Sequence, residues 1–97
     1  MGRRSSKRSK MELFAQILEV ITHYPEGVRI TRLSYGVGIP VDRLKPLVER
    51  LCSHELARRT EDEGDVHYGV APRGLEFLDS YFRTKAFLDE LGDSHSG

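Results

Sequence analysis

The first regular pattern of apolar and polar positions covers residues 10–24. Apolar side chains recur there at helical spacing and fill one face that is wide enough for a core helix. Ser9 and Glu12 have the spacing of a capping box, in which each side chain bonds the other residue's free backbone N–H at a helix start. The pattern predicts a helix that begins near Lys10 and ends at Tyr24, before Pro25. Its apolar face consists of Leu13, Phe14, Ile17, Leu18, Val20, Ile21 and Tyr24.

Residues 30–51 carry two shorter helical patterns joined by a tight turn. Thr31 is the expected N-cap of the first helix, and Gly36 and Gly38 provide the positive-φ freedom that ends it. In the second helix the apolar residues form one stripe while the charged residues point away. This spacing predicts a helix-turn-helix, with a helical hairpin that merely packs as the alternative. The stripe consists of Leu44, Leu47, Val48 and Leu51.

Pro46 lies inside the second of these helices. A proline in a helix interior removes one backbone hydrogen bond and clashes with the preceding turn, at a cost of about 3 kcal/mol. The sequence therefore predicts that this helix is bent at its start.

A hairpin is expected after the helix-turn-helix. Residues 56–60 and 66–70 contain β-branched or aromatic side chains and flank an acidic segment that includes Gly64. A hairpin in this position is a wing. Residues 28–30 are expected to form a further short strand.

The last helix is predicted over residues 72–91, with Pro72 in its first turn and Gly92 after its end. It is apolar on two sides, and one domain needs only one of them. We expect the first stripe to be covered by the domain and the second, which reaches the C-terminal end, to contact the same helix of a second chain. The alternative is a helix folded entirely onto its own domain. The first stripe is Leu75, Leu78, Phe82 and Ala86; the second is Phe77, Tyr81, Leu88 and Leu91.

Charge is distributed unevenly along the chain. The 97 residues, enough for one domain, include fifteen basic and fifteen acidic side chains. Residues 1–10 hold five of the basic residues and no acidic ones, so the remainder has a net charge of −5.

We expect residues 1–9 to be a disordered basic arm and residues 92–97 a disordered tail. The arm is either a solubilising tail or a remnant of cloning, or an electrostatic contact for DNA phosphates. Its basic residues are Arg3, Arg4, Lys7, Arg8 and, at the helix start, Lys10.

The sequence gives little evidence of catalysis or metal binding. The four histidines are scattered, and Cys52 with His54 lacks a second ligand pair at zinc spacing. There is no glycine-rich phosphate loop and no nucleophile motif. We therefore expect a non-enzymatic protein without a cofactor or small-molecule ligand. One cysteine allows no internal disulfide, and no apolar run has the length of a membrane span, so the expected location is cytoplasmic.

Taken together, the order of elements resembles the archaeal winged-helix DNA-binding family that includes small chromatin proteins and predicted transcriptional regulators. The resemblance covers residues 8–91 and depends on four segments: KRSKMELFAQIL, TRLSYGVGI, RLKPLVERL and PRGLEFLDSY. It implies an α+β, mostly helical winged helix-turn-helix over residues 10–71. It also implies a recognition helix in the major groove, a wing on the backbone or in the minor groove, and a last helix that dimerises as an antiparallel coiled coil.

If the chain binds DNA, geometry suggests a role for each polar side chain. Arg43 and Lys45 could reach base edges, and the Asp42 carboxylate could accept a hydrogen bond from the amino group of cytosine. The wing tip carries four acidic residues between positions 61 and 65. Because DNA phosphates repel carboxylates, the wing tip is not expected to contact DNA. The expected phosphate contacts are Thr31, Arg32, Tyr35 and Arg50, with Arg58 and Arg59 available lower on the hairpin.

The sequence thus favours a dimeric, nucleoid-associated protein that binds double-stranded DNA in transcription regulation or chromatin organisation. The alternative is a winged helix that serves as a protein-interaction module. The acidic body of the chain is the feature that favours this alternative.

Overall fold

The computed structural model describes residues 9–92. The basic arm residues Arg3, Arg4, Lys7 and Arg8, and the tail after Gly92, lie outside this range. The elements, in chain order, are α1 (Lys10–Thr22), α2 (Ile30–Val37), α3 (Val41–Ser53), β1 (Ala57–Asp62), β2 (Asp65–Val70) and α4 (Pro72–Glu90). This order confirms the predicted winged helix-turn-helix with a hairpin and a long last helix.

Helix α1 begins as predicted. The Glu12 backbone N–H donates to Ser9 Oγ at 3.0 Å, and the Ser9 N–H donates to Glu12 Oε1 at 3.4 Å. Both bonds of the capping box are therefore made, and they satisfy backbone donors that have no partner inside the helix. The helix ends at Thr22 with His23 as C-cap, two residues before Pro25.

Helix α2 begins earlier than predicted, and Thr31 is not its N-cap. Arg29 occupies the cap with extended backbone, and its carbonyl accepts from the Leu33 N–H at 2.9 Å. The reason lies outside the helix: Val28 forms an antiparallel bridge with Tyr68, which holds the chain extended until Arg29. Thr31 is left exposed in the first helical turn.

The two glycines near the end of α2 have different roles. Gly38 has φ +72° and forms the left-handed C-cap, whereas no positive φ occurs at Gly36. A Cβ on Gly36 would lie 2.7 Å from Val20 Cγ1, so this glycine permits α2 to approach α1. The prediction that both glycines supply positive φ was wrong for Gly36.

Helix α3 continues through Pro46 as one helix from Val41 to Ser53. Proline has no N–H to donate to the carbonyl four residues earlier, which leaves the Asp42 carbonyl without its helical partner. Of the predicted stripe, Leu44, Val48 and Leu51 are buried and Leu47 is partly buried. The bend that the sequence predicts stays a prediction.

The hairpin is longer and its turn shorter than predicted. Strands β1 and β2 pair antiparallel from Ala57–Val70 to Asp62–Asp65, and the connecting residues Glu63 and Gly64 have φ of 53° and 85°. Two positive-φ residues in a two-residue loop are typical of a type I′ turn, which suits the twist of a hairpin. The strand expected at residues 28–30 is reduced to the single bridge at Val28.

The core lies between the first three helices, the hairpin and the beginning of α4. Its buried members are aliphatic apart from Tyr68, and no polar or charged side chain between positions 9 and 92 is buried. The core residues are Ala15, Ile17, Leu18, Ile21, Val28, Leu33, Val37, Ile39, Leu44, Val48, Leu51, Ala57, Tyr68 and Leu78.

The burial of the two apolar stripes of α4 differs from the prediction. Leu78 is buried, but Phe77 and Tyr81 of the second stripe also pack against the core, whereas Leu75 and Phe82 of the first stripe are exposed. The cause is Gly74, which faces the same side as Leu78. A Cβ on Gly74 would overlap the Leu56 carbonyl oxygen, so α4 begins in close contact with the chain before β1.

Beyond Tyr81 every residue of α4 is exposed, although Leu88 still lines a cavity together with Met11 at the start of α1. The apolar residues Phe82, Phe87, Leu88 and Leu91 are all exposed, Phe87 by 65% and Leu91 by 79%. The expectation that the domain leaves the second stripe uncovered was wrong for Phe77 and Tyr81, which are partly buried against the core. The contact of the second stripe with a partner stays a prediction.

Candidate nucleic-acid interface

The interface is built on the turn between α2 and α3. The Gly38 N–H donates to the Ser34 carbonyl at 2.9 Å, and the left-handed Gly38 redirects the chain. Pro40 then caps α3, with its carbonyl accepting from the Arg43 and Leu44 N–H groups. The first turn of α3 therefore starts immediately after the turn, with Asp42 and Arg43 exposed.

Every described side chain that the sequence assigns to DNA is exposed. Tyr35 is the extreme case, at 88%. Within residues 9–92, the side chains of Arg32, Arg43 and Lys45 make no hydrogen bond or ion pair. The exposed set is Lys10, Thr31, Arg32, Tyr35, Asp42, Arg43, Lys45, Arg50, Arg58 and Arg59.

The outermost face of α3 is of mixed charge. At about 100° per residue, the positions opposite the buried Leu44 and Val48 are Asp42, Pro46 and Arg50, with Glu49 next to Asp42. By the same projection Arg43 and Lys45 lie about 160° apart, one on each flank of that face. Their exposure is as predicted, but they do not share one surface.

Arg50 is engaged within the protein. Its guanidinium carbon lies 5.8 Å from the centre of the Phe14 ring on α1, within the range of a cation–π contact. This contact directs Arg50 towards α1, which packs against α2 and α3. Its assignment to a phosphate stays a prediction.

Arg29 joins the wing to α2, and the sequence reasoning missed it. Its Nη2 donates to Asp65 Oδ2 at 3.0 Å, across 36 positions of sequence. Val28 and Tyr68 are joined next to it by two backbone hydrogen bonds of 2.8 and 2.9 Å. A cavity of about 400 Å³ lies at this junction. Its lining residues are Tyr24, Gly27, Val28, Arg29, Thr31, Arg32 and His67.

A second basic cavity lies at the other end of the hairpin, beside the start of β1. It measures about 570 Å³ and is lined by Arg58, Arg59 and Arg73, with Glu55 as the acidic member. Arg73, which the sequence reasoning also missed, donates from Nη1 to the His54 carbonyl at 3.1 Å. Arg59 forms a 3.5 Å ion pair with Glu61.

Cys52 lines the same cavity. Burial raises the pKa of its thiol, and Glu49 raises it further, while Arg59 acts in the opposite direction. A raised pKa keeps the thiol protonated and weakly nucleophilic. Cys52 is partly buried against the core, which makes it a packing residue.

Two further properties concern metals and membranes. No three His, Cys, Asp or Glu side chains between residues 9 and 92 are grouped so that they could hold a metal ion. In the same range, no helix combines the length and apolar character needed to cross a bilayer.

A winged helix-turn-helix family matches residues 7–89, which is most of the chain, and the chain belongs to this family. Membership confirms the prediction of a non-enzymatic winged-helix protein. No curated protein matches the chain by sequence.

Solved structures share the fold at low sequence identity. Sso10a-2, a DNA-binding protein from Sulfolobus solfataricus, has a TM-score of 0.75 and 20% identity, with 90% of this chain and 88% of that chain covered. A MarR-family transcriptional regulator from Silicibacter pomeroyi has a TM-score of 0.67 and 17% identity, with 89% and 69% covered. A mutant of MepR from S. aureus, bound to an oligodeoxyribonucleotide, has a TM-score of 0.69 and 13% identity, with 95% and 67% covered.

Proposed function

We propose that this chain binds double-stranded DNA through its helix-turn-helix and acts in transcription regulation or chromatin organisation in the cytoplasm, associated with the nucleoid. The observation that carries the proposal is the exposed surface formed by α2 and the start of α3. There Arg32, Arg43 and Lys45 have no hydrogen-bond or ion-pair partner among residues 9–92, on a fold shared with a DNA-binding protein and with a regulator bound to an oligodeoxyribonucleotide.

In this proposal the two flanks of α3 contact different parts of the DNA. When a recognition helix enters the major groove, its N-terminal residues reach base edges. Arg43 on one flank pairs with guanine, and Lys45 on the other flank contacts the phosphates of the opposite groove wall. Asp42, between them, accepts from a cytosine amino group.

Helix α2 and its junction with the wing supply the backbone contacts. Thr31, Arg32 and Tyr35 project from α2, and the 400 Å³ cavity beside them is lined by Arg29 and His67 as well. Such contacts position a protein on the duplex without reading its sequence. The acidic wing tip stays away from the phosphates.

The basic arm compensates for the charge of the body. Without its first ten residues the chain has a net charge of −5, which opposes approach to DNA. The arm precedes the first turn of α1, and its four arginine and lysine residues before Ser9 would each neutralise a phosphate.

The homodimer is the second part of the proposal. It forms through the distal half of α4, where Phe87, Leu88 and Leu91 are exposed and Leu88 lies beside Met11 of α1. An exposed apolar surface of this kind marks a contact site. Two copies related by a two-fold axis would cover it.

A protein-interaction module is the rival function, and the acidic wing favours it. The wing tip carries four acidic residues between positions 61 and 65, and the outer face of α3 adds Asp42 and Glu49 beside the basic Arg50. A basic protein surface would fit this face better than a phosphate backbone.

A gel-shift titration with random-sequence duplex at low and moderate salt tests the proposal. Binding through phosphates gives a shift at low salt that weakens steeply as salt increases. The absence of any shift at low salt would refute DNA binding and leave the rival function.

A further inference from the structure

Strand β1 has an unpaired edge within the described residues. It pairs with β2 on one side only, whereas β2 is bonded on its other side to Val28. Residues Arg58 to Asp62 of β1 are all exposed. An open edge of this kind presents free N–H and C=O groups to another strand.

The register shows which groups point outwards. Tyr68 directs its own N–H and C=O to Val28, away from β1, so its partner Arg59 forms a non-hydrogen-bonded pair with it. The peptide groups of Arg59 therefore face the open edge. Because successive residues of a strand alternate, those of Glu61 face the same way, while those of Thr60 point to β2.

The sequence of this edge is complementary to itself. When a second copy of β1 runs antiparallel with Thr60 opposite Thr60, Arg59 lies opposite Glu61 and Arg58 lies opposite Asp62. The two-fold axis doubles each pair, which gives four cross-strand ion pairs. The hydrogen bonds fit as well, because Arg59 and Glu61 are the residues whose peptide groups face outwards.

Other registers are disfavoured. A shift of one residue pairs outward groups with inward groups and loses the hydrogen bonds. A larger shift that restores the bonds places Arg59 opposite Arg59, or Glu61 opposite Glu61. Like charges directly opposite each other are destabilising.

The basic cavity beside β1 fits the same arrangement. In the two-fold register the partner's wing tip, with its acidic residues, lies next to the start of β1. That end of the strand is where Arg58, Arg59 and Arg73 line a cavity of about 570 Å³. The acidic tip of one copy thus meets the three arginines of the other, twice in each pair.

We infer that the wing is a self-association surface, through which two copies of this chain join their hairpins into one four-stranded antiparallel sheet centred on Thr60. The contact is isologous and requires no DNA, so an experiment can refute it without refuting the proposed function, and the reverse. It is separate from the distal end of α4.

Disulfide formation at the two-fold axis tests the register. In a non-hydrogen-bonded antiparallel pair the Cα atoms are about 4.5 Å apart, inside the range of about 4.4–6.8 Å that a disulfide needs. Thr60→Cys in a Cys52→Ala background should form a disulfide dimer in a glutathione buffer. The matched control is Glu63→Cys in the same background, equally exposed, whose two copies would lie roughly 20 Å apart, about six residues along the ladder.

We expect the Thr60→Cys dimer to form at least about tenfold faster than the Glu63→Cys dimer, and to form more slowly as salt increases. Equal rates for the two variants would mean random collision and would overturn the inference. Circular dichroism of each variant establishes that the fold is kept.

A charge exchange tests the ion pairs directly. Arg58→Glu with Arg59→Glu, added to the Thr60→Cys protein, should slow its disulfide formation at least about tenfold, because every pair becomes acidic. Glu61→Arg with Asp62→Arg should do the same through basic pairs. An equal mixture of the two proteins restores all four opposite-charge pairs and should form the mixed disulfide at the original rate. Failure of the mixture to recover would overturn the inference.

Discussion

Replacing Arg43 and Lys45 by alanine, singly and together, tests how the recognition helix contacts DNA. Both residues are exposed on α3, and surface substitutions of this kind usually change stability by less than about 0.5 kcal/mol. We therefore expect an unchanged melting temperature, so that any loss of affinity reports on the interface alone.

The magnitudes follow from the different flanks on which the two residues lie. A bidentate contact of Arg43 with guanine is worth about 1–3 kcal/mol, which corresponds to roughly 5- to 150-fold in affinity. Lys45 on the opposite flank should neutralise one phosphate and contribute about −0.9 to the slope of log affinity against log salt. The side chains diverge and share no partner, so the two losses should add.

Fluorescence anisotropy over a series of salt concentrations measures both quantities. The matched control is Arg83→Ala with Lys85→Ala, which removes the same two residue types at the same spacing from exposed positions of α4. The α3 double variant should lose at least about tenfold in affinity, most of it from Arg43. The control should lose much less, because α4 lies outside the helix-turn-helix. The 3.1 Å ion pair that Arg83 forms with Asp79 is exposed and contributes little to stability.

Two results would refute the reasoning. If the α3 and α4 double variants bind equally well, the recognition helix is not in the groove. If Arg43→Ala weakens binding equally to all sequences and lowers the salt slope, Arg43 contacts phosphate and no base.

Three further changes test the start of α4, the dimer contact and the basic arm. Gly74→Ala should lower the free energy of unfolding by about 2 kcal/mol or more, measured by urea denaturation, because its Cβ would overlap a backbone oxygen. Gly69→Ala, with no atom within 4 Å of the added Cβ, is its control and should change stability far less. Leu88→Glu with Leu91→Glu should give a folded monomer by light scattering, and a parent protein that is already monomeric at high concentration would contradict the α4 contact. Deleting residues 1–8 removes four basic side chains and should reduce the salt slope by about 3 to 4 units with base preference unchanged; an unaltered slope would exclude the arm from DNA.

Local signals in the sequence predicted most of the elements. The capping box at Ser9, the proline that opens α4 and the turn at Gly64 each depend on chemistry within a few residues, and the structure confirms all three. The periodicity of α3 identified its buried stripe for the same reason, since helical geometry follows directly from spacing.

Features that depend on contacts between distant segments were missed or misassigned. Gly36 was taken as part of a turn because nothing in the sequence shows that Val20 packs against it. The side of α4 that faces the domain is selected at Gly74, through its contact with the Leu56 carbonyl, and two stripes of equal apolar character provided no basis for the choice. The Arg29–Asp65 pair crosses 36 positions and has no local signature.

The attachment of the wing to α2 couples the local unfolding of these two segments. The hairpin is fastened at Tyr68 by two backbone hydrogen bonds to Val28, and at Asp65 by Arg29, the residue that caps α2. Isolated two-stranded hairpins are at best marginally stable, so the wing depends on this attachment together with the burial of Ala57 and Tyr68 in the core. Releasing the hairpin would also free the start of α2, which joins the two segments in a single cooperative unit. The backbone amide hydrogens of Tyr68 and Leu33 should therefore exchange with solvent deuterium at similar rates, although one lies in a strand and the other in a helix.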